Sequence, residues 1–195
     1  MKKKYKIIYA DPPWSFGNRM YSSNKNDHHR EISRAYQVMK TDDIANLPIA
    51  SLADDDCVLF IWSTDAHLVD CMEVIKRWGF KFKSVAFYWL KKEMSGKQVC
   101  YMGQWTMKNG ELCFIATKGK MTKYLKSRKV RQLTEAARDR TKHSRKPKEV
   151  REKIIQMFGD LPRIELFARE KTPGWDVWGN EVESDIDLSQ LKDGK

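Results

Sequence analysis

Apolar positions along this chain fall into two kinds of pattern. Short, nearly continuous runs occur at 5–9 (YKIIY), 57–62 (CVLFIW), 84–90 (SVAFYWL), 111–117 (ELCFIAT) and 163–168 (RIELFA), and each predicts a β-strand. Between the second and third runs, Leu68, Val69, Met72, Ile75 and Trp78 recur at helical spacing behind the cap candidates Ser63 and Thr64, and Gly79 closes the pattern. A second helix is marked by Pro147 in its first turn, by Val150, Ile154, Ile155 and Phe158 on one face, and by Gly159 at its end. Continuously apolar strands joined by helices predict an α/β fold with a mainly parallel sheet covered on both faces. In such sheets ligands sit outside the carboxyl ends of the strands.

Three stretches resist this pattern: 15–35, rich in Ser, Asn, His and Arg; 91–109, with Gly96 and Gly103; and 119–145, which is basic. Connections of this length in a compact domain are lids, binding loops or disordered segments. From about 183 the chain turns polar and acidic and is expected to fray. Its 195 residues suit one domain, over 1–182, followed by a polar tail, 183–195.

Charge sharpens the choice of partner. The net charge is +11, and the segment 118–153 alone holds 15 Lys or Arg against four acids, an excess equal to that of the whole chain. A solvated helix face is the ordinary reading of such a run, but this concentration also suits phosphate contact, and nucleic acid is the first candidate partner. The four cysteines (57, 71, 100, 113) lack CxxC spacing and the four histidines (28, 29, 67, 143) make no HExxH, so no zinc site is expected. Free thiols and the lack of a secretory or membrane segment lead us to expect a soluble, cytoplasmic protein with no membrane partner.

The candidate chemistry sits in Ala10-Asp11-Pro12-Pro13-Trp14, where the first strand ends. Asp11 puts a carboxylate at the carboxyl edge of the sheet. The two prolines stiffen the turn and remove backbone donors, leaving carbonyl oxygens as acceptors, and Trp14 adds a flat apolar surface. Such a corner suits a planar group that donates hydrogen bonds from one edge, as the exocyclic amine of a nucleobase does. Accepting both amine hydrogens in a geometry that favours a tetrahedral nitrogen localises its lone pair for attack. The same four residues are also an ordinary way to end a strand, with Trp14 in the core.

The ordered set ADPPW (10–14), YQVMKTDDIANLP (36–48), LFIWST (59–64), ELCFIATKG (111–119), HSRKPKEV (143–150), IELFAR (164–169) and GWDVWGNE (174–181) resembles the MT-A-seventy-like family of N6-adenine methyltransferases, of bacterial or phage type. The resemblance implies a Rossmann-like class I methyltransferase fold that uses S-adenosylmethionine, in a permuted order with the catalytic motif first and the cofactor strand, IELFAR, last. The Gly-rich turn typical of many methyltransferases is missing. By the same resemblance Asp11, Pro12, Pro13 and Trp14 form the catalytic corner, Asp11 also approaching the cofactor, and Lys146 holds the cofactor's carboxylate. Phe167, Arg169 and Lys171, in and after the IELFAR strand, and Asn180 and Glu181, after the WG turn, complete the cofactor site.

Tyr36 matches a loop position that closes over the target adenine, and Trp105, after Gly103, matches an aromatic of the substrate face. The loop before Tyr36 looks extended compared with the messenger-RNA enzymes, and brings Lys25, His28, His29, Arg30 and Arg34 near the pocket mouth. Lys123, Lys126, Arg128 and Arg131 in the basic segment are candidates for backbone contacts. DNA is favoured over RNA because the chain carries no added zinc-knuckle or Cys-rich module. The alternatives are an RNA N6-adenosine methyltransferase and a catalytically silent nucleic-acid-binding partner of such an enzyme. A homodimer or a second subunit is possible.

Overall fold

Strands buried on both faces form the middle of the molecule. The structure, a computed structural model, describes residues 3–15, 38–103, 105–139 and 145–191. Seven strands appear in it: β1 (Tyr5–Ala10), β2 (Ala53–Ser63), β3 (Lys81–Lys92), β4 (Gly110–Lys118), β5 (Leu133–Ala137), β6 (Arg163–Leu166) and β7 (Asp176–Trp178). They form one sheet in the order β5-β3-β4-β2-β1-β6-β7. Strands β1, β2, β6 and β7 run parallel, β4 is antiparallel to both β2 and β3, and β5 runs parallel to β3. Only β4 is therefore reversed.

Alternate residues of the central strands feed two cores. Ile8, Leu59 and Ile61 pack on one face with Cys71, Val74 and Ile75 of α2 (Leu68–Arg77), and the short α1 (Thr41–Ala45) contributes Ile44. Ile7, Tyr9, Phe60 and Trp62 pack on the other face with Val150, Ile154 and Phe158 of α3 (Lys148–Phe158). Helices thus cover both faces, as the sequence predicts for an α/β, Rossmann-like sheet. Within the α3 face Arg151 and Glu165 form a buried two-pronged ion pair, with both contacts at 2.7 Å. That bidentate geometry is the one in which a buried charge pair is best satisfied.

Several expectations need correction. The predicted strand 163–168 stops at Leu166, because Phe167 turns to φ +60°. The basic stretch 119–145 contains a strand, β5, that lies on the sheet edge against β3. Residues 183–191 do not fray. Asp185 accepts from the Val177 N–H (2.9 Å), and Leu188, 6% exposed, joins the core beside α2.

Candidate active site at the carboxyl edge of the sheet

The register of the central strands brings four charged side chains to one edge. Ala10 pairs with Ile61 and Leu166, so Asp11 emerges where β2 and β6 also end. Because β4 runs backwards, its first residues lie at this same edge, and Glu111 stands opposite Trp89 near the end of β3. Lys146 arrives from the other direction, just before α3.

These groups form an alternating chain of charge. Lys146 Nζ lies 2.8 Å from Asp11 Oδ1 and 3.1 Å from Glu111 Oε2, and Glu111 is in turn paired with Lys91. The ammonium of Lys146 also sits 5.6 Å from the centre of the Trp62 ring, and that of Lys91 lies 5.0 Å from Trp89 and 5.4 Å from Tyr101. Burial alone would neutralise Glu111 and Lys146. The neighbouring opposite charges outweigh it, holding the Glu111 carboxyl down to about 2 and pushing Lys146 above its ordinary value. The segment carrying Lys146 is tied down by Arg145, which pairs with Asp139 (3.3 Å) and with Glu170 beyond β6.

The Asp-Pro-Pro-Trp corner is locked by its own backbone. Trp14 N–H donates to the Pro12 carbonyl (2.9 Å), Met39 N–H donates to the Pro13 carbonyl (2.8 Å), and Ser15 N–H donates to the Met39 carbonyl (3.0 Å). The two carbonyls are thus less free than the sequence suggests. Among the described residues each accepts one backbone donor, and a carbonyl oxygen carries a second lone pair. Trp14 is only 5% exposed, stacks on His67 (5.6 Å, 18°) and donates from Nε1 to the Trp62 carbonyl (3.0 Å). Its ring braces the corner from within and offers little open face for a base. His67 is fixed between Thr64 Oγ1 (2.8 Å) and the Ser15 carbonyl (3.2 Å), and burial lowers its pKa.

Residues 5–181 match the MT-A70 family. The chain belongs to that family. It is 36% identical over 192 residues to "Type II methyltransferase M.MunI" of a Mycoplasma species, covering 93% of this chain and 79% of that protein. The mouse "N(6)-adenine-specific methyltransferase METTL4" is 30% identical, covering 92% of this chain and 38% of its own length. "N6-methyladenosine RNA methyltransferase MTA1" of Pyricularia oryzae is 27% identical, covering 91% and 47%. Several of these relatives are thus much longer than the stretch they share with this chain.

Methyltransferases of the MT-A70 family use S-adenosylmethionine, and the residues at this edge fit its charged end. An α-amino acid carries one cation and one anion, and Asp11 and Lys146 offer the complementary pair in a site whose own four charges cancel. On the β6 and β7 side, Phe167 holds its left-handed backbone with its ring edge-on to Trp178 (5.4 Å, 71°). A non-glycine residue there stores about 1–2 kcal/mol of strain, a cost found mostly where structure serves a site. Ala168 N–H donates to the Trp178 carbonyl (2.9 Å), and Gly179 has no side chain because a Cβ there would strike the Ala168 backbone.

Of the other sequence candidates, Arg169 and Glu181 meet at 3.6 Å, with Asn180 exposed beside them. Lys171 turns outward to Asp185 (2.8 Å). Trp105 is 89% exposed, on the β3–β4 connection at the catalytic edge. Tyr36, Lys25, His28, His29, Arg30 and Arg34 lie outside the described residues.

The four basic candidates fall elsewhere. Lys123 pairs with Asp56 (2.5 Å) near the start of β2, and Lys126 N–H donates to the Met157 carbonyl (2.7 Å) near the end of α3. Both belong to the amino edge, about a strand length, or ~20 Å, from Asp11. Arg128 and Arg131 are exposed on the same return path. Lys123 and Lys126 are therefore remote from Asp11, whereas Arg131 lies just before β5, where the Gln132 carbonyl accepts from the Tyr88 N–H (3.1 Å). The groups the sequence did not single out are Glu111, Lys91 and Arg145; the signal for Glu111 was a carboxylate opening an otherwise apolar strand.

Proposed function

We propose that this chain transfers a methyl group from S-adenosylmethionine to the exocyclic N6 amine of adenine in DNA. The observation that carries this reading is the Asp11–Lys146–Glu111 arrangement (2.8 and 3.1 Å) beside a locked proline corner. It combines a carboxylate and a second carbonyl lone pair for an amine with a buried cation for a carboxylate. The DNA assignment is supported by the type II methyltransferase that covers most of both chains.

In this reading Lys146 holds the cofactor's carboxylate and Asp11 its ammonium, while Arg169, Asn180 and Glu181 face its ribose and Phe167 packs beside it. The cofactor supplies an electrophilic methyl group. Asp11 and the Pro12 carbonyl accept the hydrogens of the adenine amine, holding its nitrogen lone pair outward. The rigid turn means that little reorganisation is needed when the base arrives. A duplex adenine must leave its stack to reach this edge, at a cost of a few kcal/mol, which phosphate contacts from a +11 chain would offset.

Methylation of matched single- and double-stranded DNA and RNA oligomers, read by nucleoside mass spectrometry, tests this directly. N6-methyladenine in DNA is expected. Product in RNA alone would overturn the DNA assignment in favour of the activity named for the fungal relative. Failure of labelled S-adenosylmethionine to bind the chain would instead identify a silent partner subunit.

A further inference from the structure

The β3–β4 connection ends in a feature with no role in the chemistry above. Tyr101 and Lys108 exchange backbone hydrogen bonds (2.7 and 2.8 Å), closing a narrow tip that carries Met102, Trp105 and Met107. Met102 is 85% exposed and Trp105 89%, and Met107 is exposed as well. Three large apolar side chains exposed within six residues of one tip are unusual on a chain this charged, and they call for a partner.

The tip is fixed from below at several points. Arg138 donates to the Tyr101 hydroxyl (3.0 Å) and pairs with Glu93 (2.6 Å), Lys91 lies against the Tyr101 ring, and Lys108 reaches Asp65 (3.6 Å) just past the end of β2. These anchors hold it at the edge where Asp11 stands. It is a prong about two strands wide rather than a broad face, which suits insertion between flat groups better than docking against a protein surface.

We propose that this tip is an apolar wedge, with Trp105 entering the base stack of duplex DNA as the target adenine leaves it. The proposal rests on the DNA reading above and adds how the duplex is opened. Extruding an adenine leaves a flat, apolar gap lined by two neighbouring base pairs, and the Trp105 indole has the shape and the π-face to fill it. Met102 and Met107 are unbranched and adaptable, suited to packing against the displaced edges. Lys91, Lys92 and Lys108 are paired with Glu111, Glu135 and Asp65, so on this connection it is Lys97 that the prong offers to a flanking phosphate.

The test compares wild type, Trp105→Ala and Trp105→Phe on three oligomers of one sequence: duplex, single strand, and a duplex with an abasic site opposite the target adenine. The wedge predicts that Trp105→Ala lowers the duplex-to-single-strand activity ratio at least tenfold, that the abasic duplex recovers most of the loss, and that Trp105→Phe is intermediate. A second readout needs no turnover. With 2-aminopurine at the target position, the fluorescence rise on binding wild type should be lost with Trp105→Ala.

Equal losses on all three oligomers, or an undiminished fluorescence rise, would overturn the wedge. So would a change in molar mass on Trp105→Ala measured by light scattering, because the tip would then be a contact between copies of the chain. A wild-type enzyme silent on every DNA while binding cofactor would overturn the reading beneath it instead.

Discussion

Lys146 and Asp11, 135 residues apart in the chain, meet at 2.8 Å as an ion pair between the end of β1 and the start of α3, with the lysine buried and the carboxylate partly so. The pair closes the site. Replacing Lys146 with Met leaves the Asp11 and Glu111 carboxylates without their shared cation, and a buried pair broken on one side costs about 3–5 kcal/mol. We expect urea denaturation to show a loss of that order, and calorimetry to show no S-adenosylmethionine binding under conditions where the variant stays folded. Wild-type affinity would remove Lys146 from the cofactor site.

Asp11→Asn separates chemistry from folding. Lys146 keeps Glu111 as its partner at 3.1 Å, so the expected stability loss is smaller, about 1–2 kcal/mol. Single-turnover methyl transfer should fall by about 10²-fold or more, the usual effect of removing one group that stabilises the reacting atoms. A loss under tenfold would argue against Asp11 as an acceptor for the amine.

Glu111 should govern the acid limb of stability. Its carboxyl is depressed in the fold from 4.5 to about 2, so its contribution is complete above about pH 4.5 and is lost as the pH falls towards 2. A depression of this size corresponds to about 3 kcal/mol. In urea melts from pH 6 to 2, wild type should lose stability more steeply than Glu111→Gln. Parallel curves would mean that the ion chain does not stabilise the charged carboxylate.

Gly179→Ala probes the seat formed by β6 and β7. The added methyl would meet the carbonyl and nitrogen of Ala168, backbone atoms that cannot swing aside. A loss of about 2–3 kcal/mol is expected, with weaker S-adenosylmethionine binding, since Arg169 and Asn180 flank the same turn. Unchanged melting temperature and affinity would show that the two strands part freely.

Charge reversal on the amino edge tests the reach of the bound polymer. Lys126→Glu and Arg128→Glu lie far from Asp11, and each is expected to change the slope of log affinity against log salt by less than about half a unit, whereas a side chain that neutralises one phosphate of duplex DNA accounts for about 0.9. A change near that full value would mean that nucleic acid wraps round the sheet.

What could be read from sequence followed burial. Strands β1, β2 and β4 and helices α2 and α3 were legible because both sheet faces are covered and their apolar residues run unbroken or at helical spacing. Strand β5 was not, since Leu-Thr-Glu-Ala-Ala buries only Thr134 and pairs with a single neighbour. Helix α1 is five residues long, too short to show a period. The docking of the tail rests on Asp185, which pairs with the Val177 backbone and Lys171, and on Ile186, Leu188 and Leu191 against the core, a spacing too short and too polar to announce an element.

In the site, Asp11 and Lys146 were legible from their motifs. Glu111 was not, because its character comes from Lys91 and Lys146, which approach it only after β4 has been reversed. Trp14 stands in the corner with Asp11, but its inward stacking on His67 depends on where α2 begins.

The reversal of β4 has one more consequence. Leu90 and Gly110 are register partners on adjacent strands, so the chain leaves the sheet and re-enters it at neighbouring points. Beyond Lys91 and Lys92, the last rungs of β3 against β5, the remaining connection to Gly110 can be lengthened, shortened or exchanged without shifting the pairing of β3 with β4. For an engineer this makes the stretch after Lys92, 93–109, an interchangeable part: a new target preference could be grafted there while Lys91, Glu111 and the rest of the methyl-transfer machinery stay as they are.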